Sequence, residues 1–600
     1  MKVRRLPHDV PRLHVLCALA LTLGPLALAC GATEKATYVW VDVASRPAIH
    51  DVTRLEVTVR HEGESISKTF GDGITPLALP ASLTVTPHDH IGTLAIEGVA
   101  FCAGNIQCAR GSVTAWVAAK TQPRVTLQLE PDDFQVNTTI ADAQILVDAG
   151  GRSGRQVAAA SDGRFVTVFE NITTLGRYDA LGRLFGADAV PRENAVSHTT
   201  GDFILNQGGS ESVFFVTVAS ARDGTFVAAW ADLAAGAGTF NARAFDAAGT
   251  PSAEVILSAN GAPPSGPGHV AAFPAGGYVA VWQQARSSTD KRGEVRIRLL
   301  DAQGRPRTNA ATGTTADFLA APPGSDSMEK PAVAVGPDQA FLVVWIEVPA
   351  SGNATIKGRL FAPQGEARGD VFMVATVTST FADAPNVAGT SDGYLIVWSD
   401  TGAEPDDTDI LLRHVATDGT MAQPAYRVNA NTRGYQVEPA IAVDADGHTL
   451  VVWTDSENFP EDPVAPSIRA RALHSFGLPI GTDVGINTTA LGQQWSPSVA
   501  ALGQGSFVVI WEDLSQAGPD VDSSGIRGRV VYPNFAPNDG GLGSLCLHAE
   551  DCAPELTCVP RGTTSYCHVP CTDAEIGQPC PFGGMCTATS AASAPACLFR

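Results

Sequence analysis

The sequence predicts an all-β protein built from an N-terminal β-sandwich, a seven-bladed β-propeller and a small disulfide-rich C-terminal module. Three observations lead to this prediction. A short apolar run that ends in an aromatic residue recurs seven times, short segments with alternating polarity precede the first run, and eight cysteines crowd the end of the chain. Apolar runs of this length, bounded by turn residues, are typical of strands and too short for helices.

Length and charge narrow the function. The 600 residues exceed one ordinary domain, and 44% hydrophobic content suits a folded protein. Asp and Glu number 62 against 40 Lys and Arg, which makes the net charge −22. We expect no nucleic-acid partner, because binding a polyanion through charge requires a basic face.

The N-terminus has the features of a targeting segment. Lys2, Arg4 and Arg5 are basic, and an apolar stretch covers residues 15–29. The stretch is shorter than the roughly 20 residues that a membrane-spanning helix needs. We therefore interpret residues 1–29 as a signal peptide and residues 30–36 as a tether.

The end of this segment, Ala27-Leu-Ala-Cys30, resembles the lipobox of bacterial lipoproteins, apart from Ala27, where leucine is usual. The resemblance implies that Cys30 is acylated and becomes the N-terminus after cleavage, and Gly31 implies sorting to the outer membrane. Two or three acyl chains anchor a protein stably, whereas one does not. The alternative is an ordinary secretory signal, cut near Ala29 or Ala32. We expect the protein in the cell envelope, at the outer membrane or cell surface.

The first domain is predicted over residues 37–131. Its strand candidates are Tyr38–Val43, Arg54–Arg60, Ser65–Phe70, Leu83–Thr86, Leu94–Phe101, Ser112–Val117 and Arg124–Glu130. Their alternation predicts half-buried strands, and seven strands in under 100 residues indicate an immunoglobulin-like or fibronectin-like sandwich. Cys102 and Cys108 are expected to form a disulfide across a hairpin loop. His88-Asp89-His90 is interpreted as a solvated turn, with a metal ligand pair as the alternative.

The repeats define residues 132–536. The recurring runs are Phe165–Phe169, Phe226–Trp230, Tyr278–Trp282, Phe341–Trp345, Tyr394–Trp398, Leu450–Trp453 and Phe507–Trp511. An Ala/Val strand and a tight turn precede each run; a strand with alternating basic residues and a short fourth segment follow. A four-stranded unit repeated seven times at intervals of 52 to 63 residues predicts a seven-bladed propeller.

The position of each strand in the blade follows from its composition. The apolar second strand is expected to be buried on both faces, with its tryptophan between blades. The third strand, with pairs such as Arg296/Arg298 and Arg469/Arg471, is expected farther out, with every other side chain in water. The segment Val136–Ile140 resembles the fourth strands and precedes the first blade. It is therefore predicted to complete the last blade and close the ring.

Motifs for catalysis are not found in the repeats, so no catalytic or cofactor-binding residue is predicted. Acidic residues follow the last three runs: Glu404, Asp406, Asp407, Asp409, Asp455, Glu457, Glu461, Asp462, Asp513, Asp520 and Asp522. Loops after the second strand share one face of a propeller, so these carboxylates are expected to gather there. Asp520, Asp522 and Ser524 partly match the spacing of ligands in a calcium-binding loop, but the Glu that ends such a loop is absent from this segment. A solvated acidic rim is the alternative.

The C-terminal module is predicted over residues 540–600. Its cysteines are Cys546, Cys552, Cys558, Cys567, Cys571, Cys580, Cys586 and Cys597. A segment with so little apolar content needs covalent staples, and we expect four disulfides of undetermined connectivity. Zinc is the rival interpretation, although the spacing contains no CxxC.

As a whole the chain resembles poorly characterised propeller-repeat lipoproteins of Gram-negative bacteria, on the signal segment and the repeats. A rigid propeller with a loop-lined face suits a lipid-anchored envelope protein that binds or scaffolds a protein or glycan. The repeats depart little from their common pattern, which favours a binding protein over an enzyme. Two alternatives stay open at this point. One is an extracytoplasmic glycan lyase or hydrolase with carboxylates in the propeller channel, and the other is a purely structural surface protein.

Overall fold

The computed structural model confirms the all-β class and divides the chain into two compact units, residues 1–132 and 133–600. In the described residues no helix is long and apolar enough to cross a membrane. The structure describes residues 2–5, 37–87, 91–140, 143–146, 155–173, 176–207, 212–233, 238–258, 262–378, 384–401, 407–421, 423–460, 462–474, 479–516, 524–535, 557–561, 564–568, 585–587 and 596–598.

The first unit is one mixed sheet of eight strands. They are β1 (Lys2–Arg5), β2 (Val39–Ser45), β3 (Arg54–His61), β4 (Glu64–Phe70), β5 (Ala81–Thr86), β6 (Gly92–Cys102), β7 (Ile106–Val117) and β8 (Arg124–Pro131). The order across the sheet is β1-β5-β2-β8-β7-β6-β3-β4. Neighbours are antiparallel except for β2 and β8, which are parallel. Strand β1 belongs to the segment interpreted as a signal peptide and pairs with β5 at the sheet edge.

The two-sheet sandwich is not observed, because the strands hydrogen-bond in one continuous, curled sheet. Strand β8 pairs with β2 along its first six residues and with β7 through its last two. Gly98 and Gly111 lie opposite each other on β6 and β7. A Cβ atom on Gly111 would lie 2.1 Å from the carbonyl oxygen of Gln128, so the glycine permits β8 to approach this closely.

The period-two alternation nevertheless predicts the core of this unit correctly. Leu55, Val57 and Val59 are buried in one hydrophobic cluster with residues of β2, β6 and β8. All seven strand candidates of this domain are observed as strands. The predicted disulfide between Cys102 and Cys108 is also confirmed, with the two Cα atoms 5.8 Å apart.

The second unit contains the seven predicted blades, each with four strand positions; in blade 1 two short strands share the inner position. The strands are given from inner to outer position. Blade 1 has β10 (Ala143–Ile145) with β11 (Val157–Ala159), then β12 (Phe165–Ile172), β13 (Tyr178–Phe185) and β14 (Phe203–Ile204). Blade 2 has β15 (Val213–Ser220), β16 (Phe226–Asp232), β17 (Thr239–Phe245) and β18 (Val255–Ile256). Blade 3 has β19 (Pro264–Ala272), β20 (Tyr278–Ala285), β21 (Gly293–Leu300) and β22 (Phe318–Leu319). Blade 4 has β23 (Ser327–Val335), β24 (Phe341–Val348), β25 (Thr355–Phe361) and β26 (Ala367–Thr376).

The same order holds in the other three blades. Blade 5 has β27 (Asn386–Gly389), β28 (Gly393–Thr401), β29 (Thr408–Ala416) and β30 (Tyr426–Arg427); blade 6 has β31 (Gln436–Val443), β32 (Thr449–Asp455), β33 (Ser467–Leu473) and β34 (Pro479–Gly485); blade 7 has β35 (Gln494–Gly503), β36 (Ser506–Asp513), β37 (Gly525–Val531) and β9 (Phe134–Gln135). Blade 7 therefore takes its outer strand from the chain before blade 1.

This arrangement confirms the predicted ring closure, with a small shift along the sequence. The paired residues are Phe134 and Gln135, just ahead of the predicted Val136–Ile140. The Val136 N–H still donates to the carbonyl oxygen of Ile526 at 2.8 Å, and the side-chain oxygen of Asn137 accepts from the Ile526 N–H. The segment is thus held by backbone and side chain together.

The second strand of each blade is buried on both faces, as predicted. The six tryptophans that end the recurring runs are at most 1% exposed, and Phe169 takes the same place in blade 1. Each of the hydrophobic clusters in the propeller joins residues of two neighbouring blades. The core of the propeller is therefore a ring of interfaces between blades.

The third-strand arginines, in contrast, do not point into water as predicted. One arginine per blade donates to a backbone carbonyl in the outer strand segment of the preceding blade, an interaction that we call the arginine clasp. The seven pairs are Arg183–Val136, Arg243–Leu205, Arg298–Leu257, Arg359–Ala320, Arg413–Val374, Arg471–Val428 and Arg529–Ile486. The alternation predicts which arginines share a face, but it does not reveal that the next blade covers that face.

We predict that Arg471→Met lowers the free energy of unfolding of the propeller by about 2 kcal/mol. Arg471 is 3% exposed and donates to the carbonyl oxygens of Val428 at 2.8 Å and Gly481 at 2.5 Å. Methionine keeps the apolar stem but removes both hydrogen bonds, and the buried acceptor on Val428 left without this donor costs about 1–3 kcal/mol before relaxation.

The measurement is denaturant unfolding followed by the fluorescence of the buried tryptophans. Arg305→Met is the matched control, because Arg305 is exposed on a turn in blade 3. If both variants unfold at the wild-type midpoint, the clasp does not stabilise the ring.

In the C-terminal module the structure describes four short strands: β38 (Thr557–Arg561), β39 (Thr564–His568), β40 (Met585–Thr587) and β41 (Ala596–Leu598). Their backbone register places Cys558 opposite Cys567 and Cys586 opposite Cys597. The other four cysteines of the module lie outside the described residues. The four disulfides of this module stay a prediction.

Candidate functional site

The inner strands of all seven blades surround a central cavity of about 240 Å³. Its wall is built mainly from small residues near the end of each inner strand. They are Ala158, Ala159, Ala219, Ser220, Ala271, Ala272, Pro274, Ala334, Val335, Ala388, Gly389, Ala442, Val443, Val499, Ala500 and Ala501. Because these side chains are short, the ring leaves space at its centre. The repeated Ala/Val strands are the part of the sequence that indicates small side chains at the centre of the ring.

Arg155 also lines the cavity and differs from everything else in its wall. It lies at the start of the inner strand of blade 1, and its Nη2 atom lies 3.5 Å from the carbonyl oxygen of Val387 in blade 5. Blades 1 and 5 are not neighbours in a ring of seven, so the side chain reaches across the channel. The strand registers align Arg155 with Val216, Gly268, Pro331, Pro385, Pro439 and Pro497 of the other blades.

The positive charge on the guanidinium of Arg155 is poorly compensated by neighbouring groups. It has five N–H donors, and its side chain makes one long contact to a carbonyl oxygen. In the described part of the chain no carboxylate forms an ion pair with it. Burial lowers the pKa of Arg155 to about 10, so the group is still protonated at neutral pH. The propeller therefore holds a positive charge inside its channel.

His269 is a second polar group in this region. It is fully buried on the inner strand of blade 3, and its Nδ1 accepts from the Val333 N–H at 3.4 Å. Burial and then the charge of Arg155 hold the pKa of His269 well below its usual value. The ring is therefore neutral with the proton on Nε2, which has no hydrogen-bond partner among the described residues. Sequence reasoning missed both residues because each occurs once.

Of the acidic residues after the second strands, those that the structure describes are buried or half-buried. Asp409, Asp455, Asp462 and Asp513 are buried, and Asp407 and Glu457 are half-buried. Glu404, Asp406, Glu461, Asp520 and Asp522 lie outside the described residues. Four of the carboxylates are therefore interior groups with structural partners.

Asp455 and Asp513 belong to a repeated hydrogen-bond chain that we call the Asn–Gln bridge. In blade 7 the amide of Asn487 donates to Gln494 at 3.1 Å, and the amide of Gln494 donates to Asp513 at 3.2 Å. The equivalent residues elsewhere are Asn429, Gln436 and Asp455, and Asn137, Gln144 and Asn171. Each bridge joins the end of one blade to the start of the next. The sequence contains a pattern that indicates the bridge, a Gln seven residues after the Asn, but the sequence analysis did not identify it.

Burial is the first cause of a raised pKa at Asp409, Asp455 and Asp513. Raised carboxyl pKa values occur at catalytic sites, but buried structural networks produce them as well. Asp455 and Asp513 each accept from the Gln of their own blade, and Asp513 also accepts from Arg527 at 3.0 Å. The hydrogen bonds account for both positions without a substrate.

The calcium hypothesis stays a prediction. Ser524 is buried and its hydroxyl donates to the carbonyl oxygen of Gln144 at 2.9 Å, while Asp520 and Asp522 lie outside the described residues. His88, Asp89 and His90 lie outside them too.

Another group of possible ligands is Asp444, Asp446 and His448, whose ligand atoms lie within 4.8 Å of one another. Asp444 accepts from the backbone N–H groups of Asp446, His448 and Gly505 and contacts the His448 ring at 2.9 Å. These contacts stabilise the turn of blade 6, so we assign the group a structural role.

Comparison with known proteins assigns the chain to no family. No protein-family model matches the sequence, and no curated protein matches it. Among solved structures, a protein of unknown function from Dyadobacter fermentans is 11% identical, with a TM-score of 0.37, and 67% of this chain and 100% of that one are covered. The Hadza microbial sialidase Hz136 is 10% identical with a TM-score of 0.39, covering 83% and 93%. A PL25 ulvan lyase is 8% identical with a TM-score of 0.40, covering 67% and 96%.

We predict that Asp455→Asn preserves the fold and changes the pH dependence of stability. Blade 1 has Asn171 in the equivalent bridge position, so an amide fits there. A pKa raised by folding means that the native state binds the proton more tightly. This contribution is present below about pH 4 and is lost as the pH rises through the folded-state pKa. The variant should therefore gain stability relative to wild type between pH 4 and pH 7.

Denaturant unfolding at several pH values measures this difference, with Asp446→Asn, on an exposed turn, as the control. The expected gain is about 1.4 kcal/mol for each pKa unit by which folding raises this carboxyl. A variant that is less stable than wild type at every pH would show that an amide does not replace the carboxyl group in the bridge, and would contradict the prediction.

Proposed function

We propose that this is an exported, lipid-anchored protein of the cell envelope whose propeller binds an extracytoplasmic ligand at its central channel. It would act as a binding or scaffolding module for a protein or glycan. The observation that carries the proposal is the cavity inside the ring, lined by all seven blades and containing the uncompensated guanidinium of Arg155.

The size of the cavity limits what enters it. Pockets that enclose a drug-sized ligand measure about 300–1,000 Å³, and this cavity measures about 240 Å³. It suits a small molecule or one projecting group of a larger ligand. The surrounding blades are tied together by clasps and bridges, so the wall is preformed and a ligand spends little free energy on ordering it.

The experiment for this function is site-specific photo-crosslinking in intact envelopes. A photoreactive residue replaces Ser220 in the cavity wall, and the same residue at Ile204, exposed on the outer edge of blade 1, is the control. We expect one ligand to be captured at position 220 and not at position 204. Identical products at both positions, or none at 220, would contradict a channel-binding function.

The envelope location rests on the predicted signal peptide, of which the structure describes residues 2–5 alone, and on Cys30, which lies outside the described residues. We predict that intact-mass analysis of the mature protein shows acyl chains on Cys30, and that Cys30→Ser abolishes them and releases the protein from membranes. Cys17→Ser is the matched control, because Cys17 lies within the signal segment and is removed with it. An unmodified N-terminus near Ala29 or Ala32 would contradict the lipid anchor.

A glycan-active enzyme is the second candidate function. The observation in its favour is that Asp409, Asp455 and Asp513 lie on three consecutive blades and all have a raised pKa. If one of them is catalytic, Asp455→Asn or Asp513→Asn abolishes turnover of a glycan substrate without lowering the melting temperature. If they are structural, these variants alter stability alone.

A further inference from the structure

The buried arginines of the propeller divide into two kinds. Those of the clasps donate to carbonyl oxygens at close range: Arg471, for example, donates to two of them within 2.8 Å. Arg155 is half-buried, and its one side-chain contact is 3.5 Å long and goes to a carbonyl oxygen on the far side of the channel. A charge that is partly withdrawn from water and makes so weak a contact contributes little to stability, so its presence is better explained by a ligand.

The surroundings of Arg155 specify the chemistry of that ligand. Apart from Arg155, the wall carries no charged side chain, and polar groups are exposed between its small alanine and valine side chains. One cation compensates one negative charge, and the wall offers no second cation for a divalent anion. A guanidinium also matches the two oxygens of a carboxylate in a paired hydrogen-bond geometry. These conditions favour a monocarboxylate with a small apolar body over sulfate or phosphate.

We propose that the channel binds a small organic carboxylate, with its carboxylate on the guanidinium of Arg155 and its apolar part against the alanine wall. The proposal rests on the proposed function and names the ligand class of that same site. The carboxylate is either a free acid or the acidic end of a longer peptide or glycan.

Isothermal titration calorimetry of the mature full-length protein provides the test. The probes are propionate and benzoate, with propionamide and sulfate as the neutral and divalent comparisons, all in chloride buffer. A Gly-Ala dipeptide and a uronic acid disaccharide test the longer sources. We expect at least one carboxylate to bind, and Arg155→Gln to weaken it at least 10-fold. Arg305→Gln, on an exposed turn, should bind like wild type.

Thermal melting separates a binding role of Arg155 from a structural one. In buffer without carboxylate, Arg155→Gln should melt at or above the wild-type temperature, because it removes an uncompensated charge. The ligand should then raise the melting temperature of wild type and not of the variant. If the variant melts at a lower temperature and wild type binds no carboxylate, Arg155 has a structural role and the proposal is overturned.

The outcomes also separate this proposal from the broader function. Capture at position 220 without carboxylate binding leaves the channel-binding function intact and overturns the ligand class. Carboxylate binding that persists in Arg155→Gln overturns the site. Binding of sulfate as tightly as propionate, both lost in Arg155→Gln, overturns the preference for a carboxylate.

Discussion

The arginine clasp is the interaction on which the propeller depends. Neighbouring blades share only scattered backbone hydrogen bonds and no continuous ladder, so side chains at each junction provide much of what holds the ring together. Arginine suits this role because its stem crosses the interface and its planar head carries several donors. Each clasp arginine meets a neutral carbonyl oxygen of the preceding blade. The buried charge is thus distributed over peptide dipoles, and each junction keeps the outer strand of one blade against the next.

The closing junction uses the same clasp as the other six. Arg183 of blade 1 donates to the carbonyl oxygen of Val136 at 2.6 Å, and Val136 follows the strand that completes blade 7. Asn137 adds an Asn–Gln bridge to Gln144 across the same point, as at the two junctions of blade 6. The chain before the first blade therefore supplies both the acceptor of the clasp and the asparagine of the bridge. A ring tied at every junction resists local opening, which is what a cavity with an uncompensated charge requires of its wall.

The sequence predicted the features that depend on local pattern. Blade number, the burial of Trp230 and its counterparts, and ring closure follow from short periodic runs and turns. The errors have a different origin. Arg471 looks like an outward residue because alternation assigns a face without saying what covers it. Gly98 and Gly111 curl the first sheet through an approach of β8 that only three-dimensional pairing reveals. Arg155 occurs in one blade alone, so the repeat pattern could not predict its role.

Repetition itself separates structure from function in this protein. A residue that recurs at each junction, such as the clasp arginine or the tryptophan of the second strand, has a role that every blade shares, and that role is assembly. A ligand on the central axis meets one blade differently from the next, so its contacts need to break the symmetry. The position of Arg155 is proline in four blades, glycine in one and valine in another. Arg155, which departs from the repeat, is also the one charged residue in the cavity wall, and this coincidence makes the channel the site where function is to be sought.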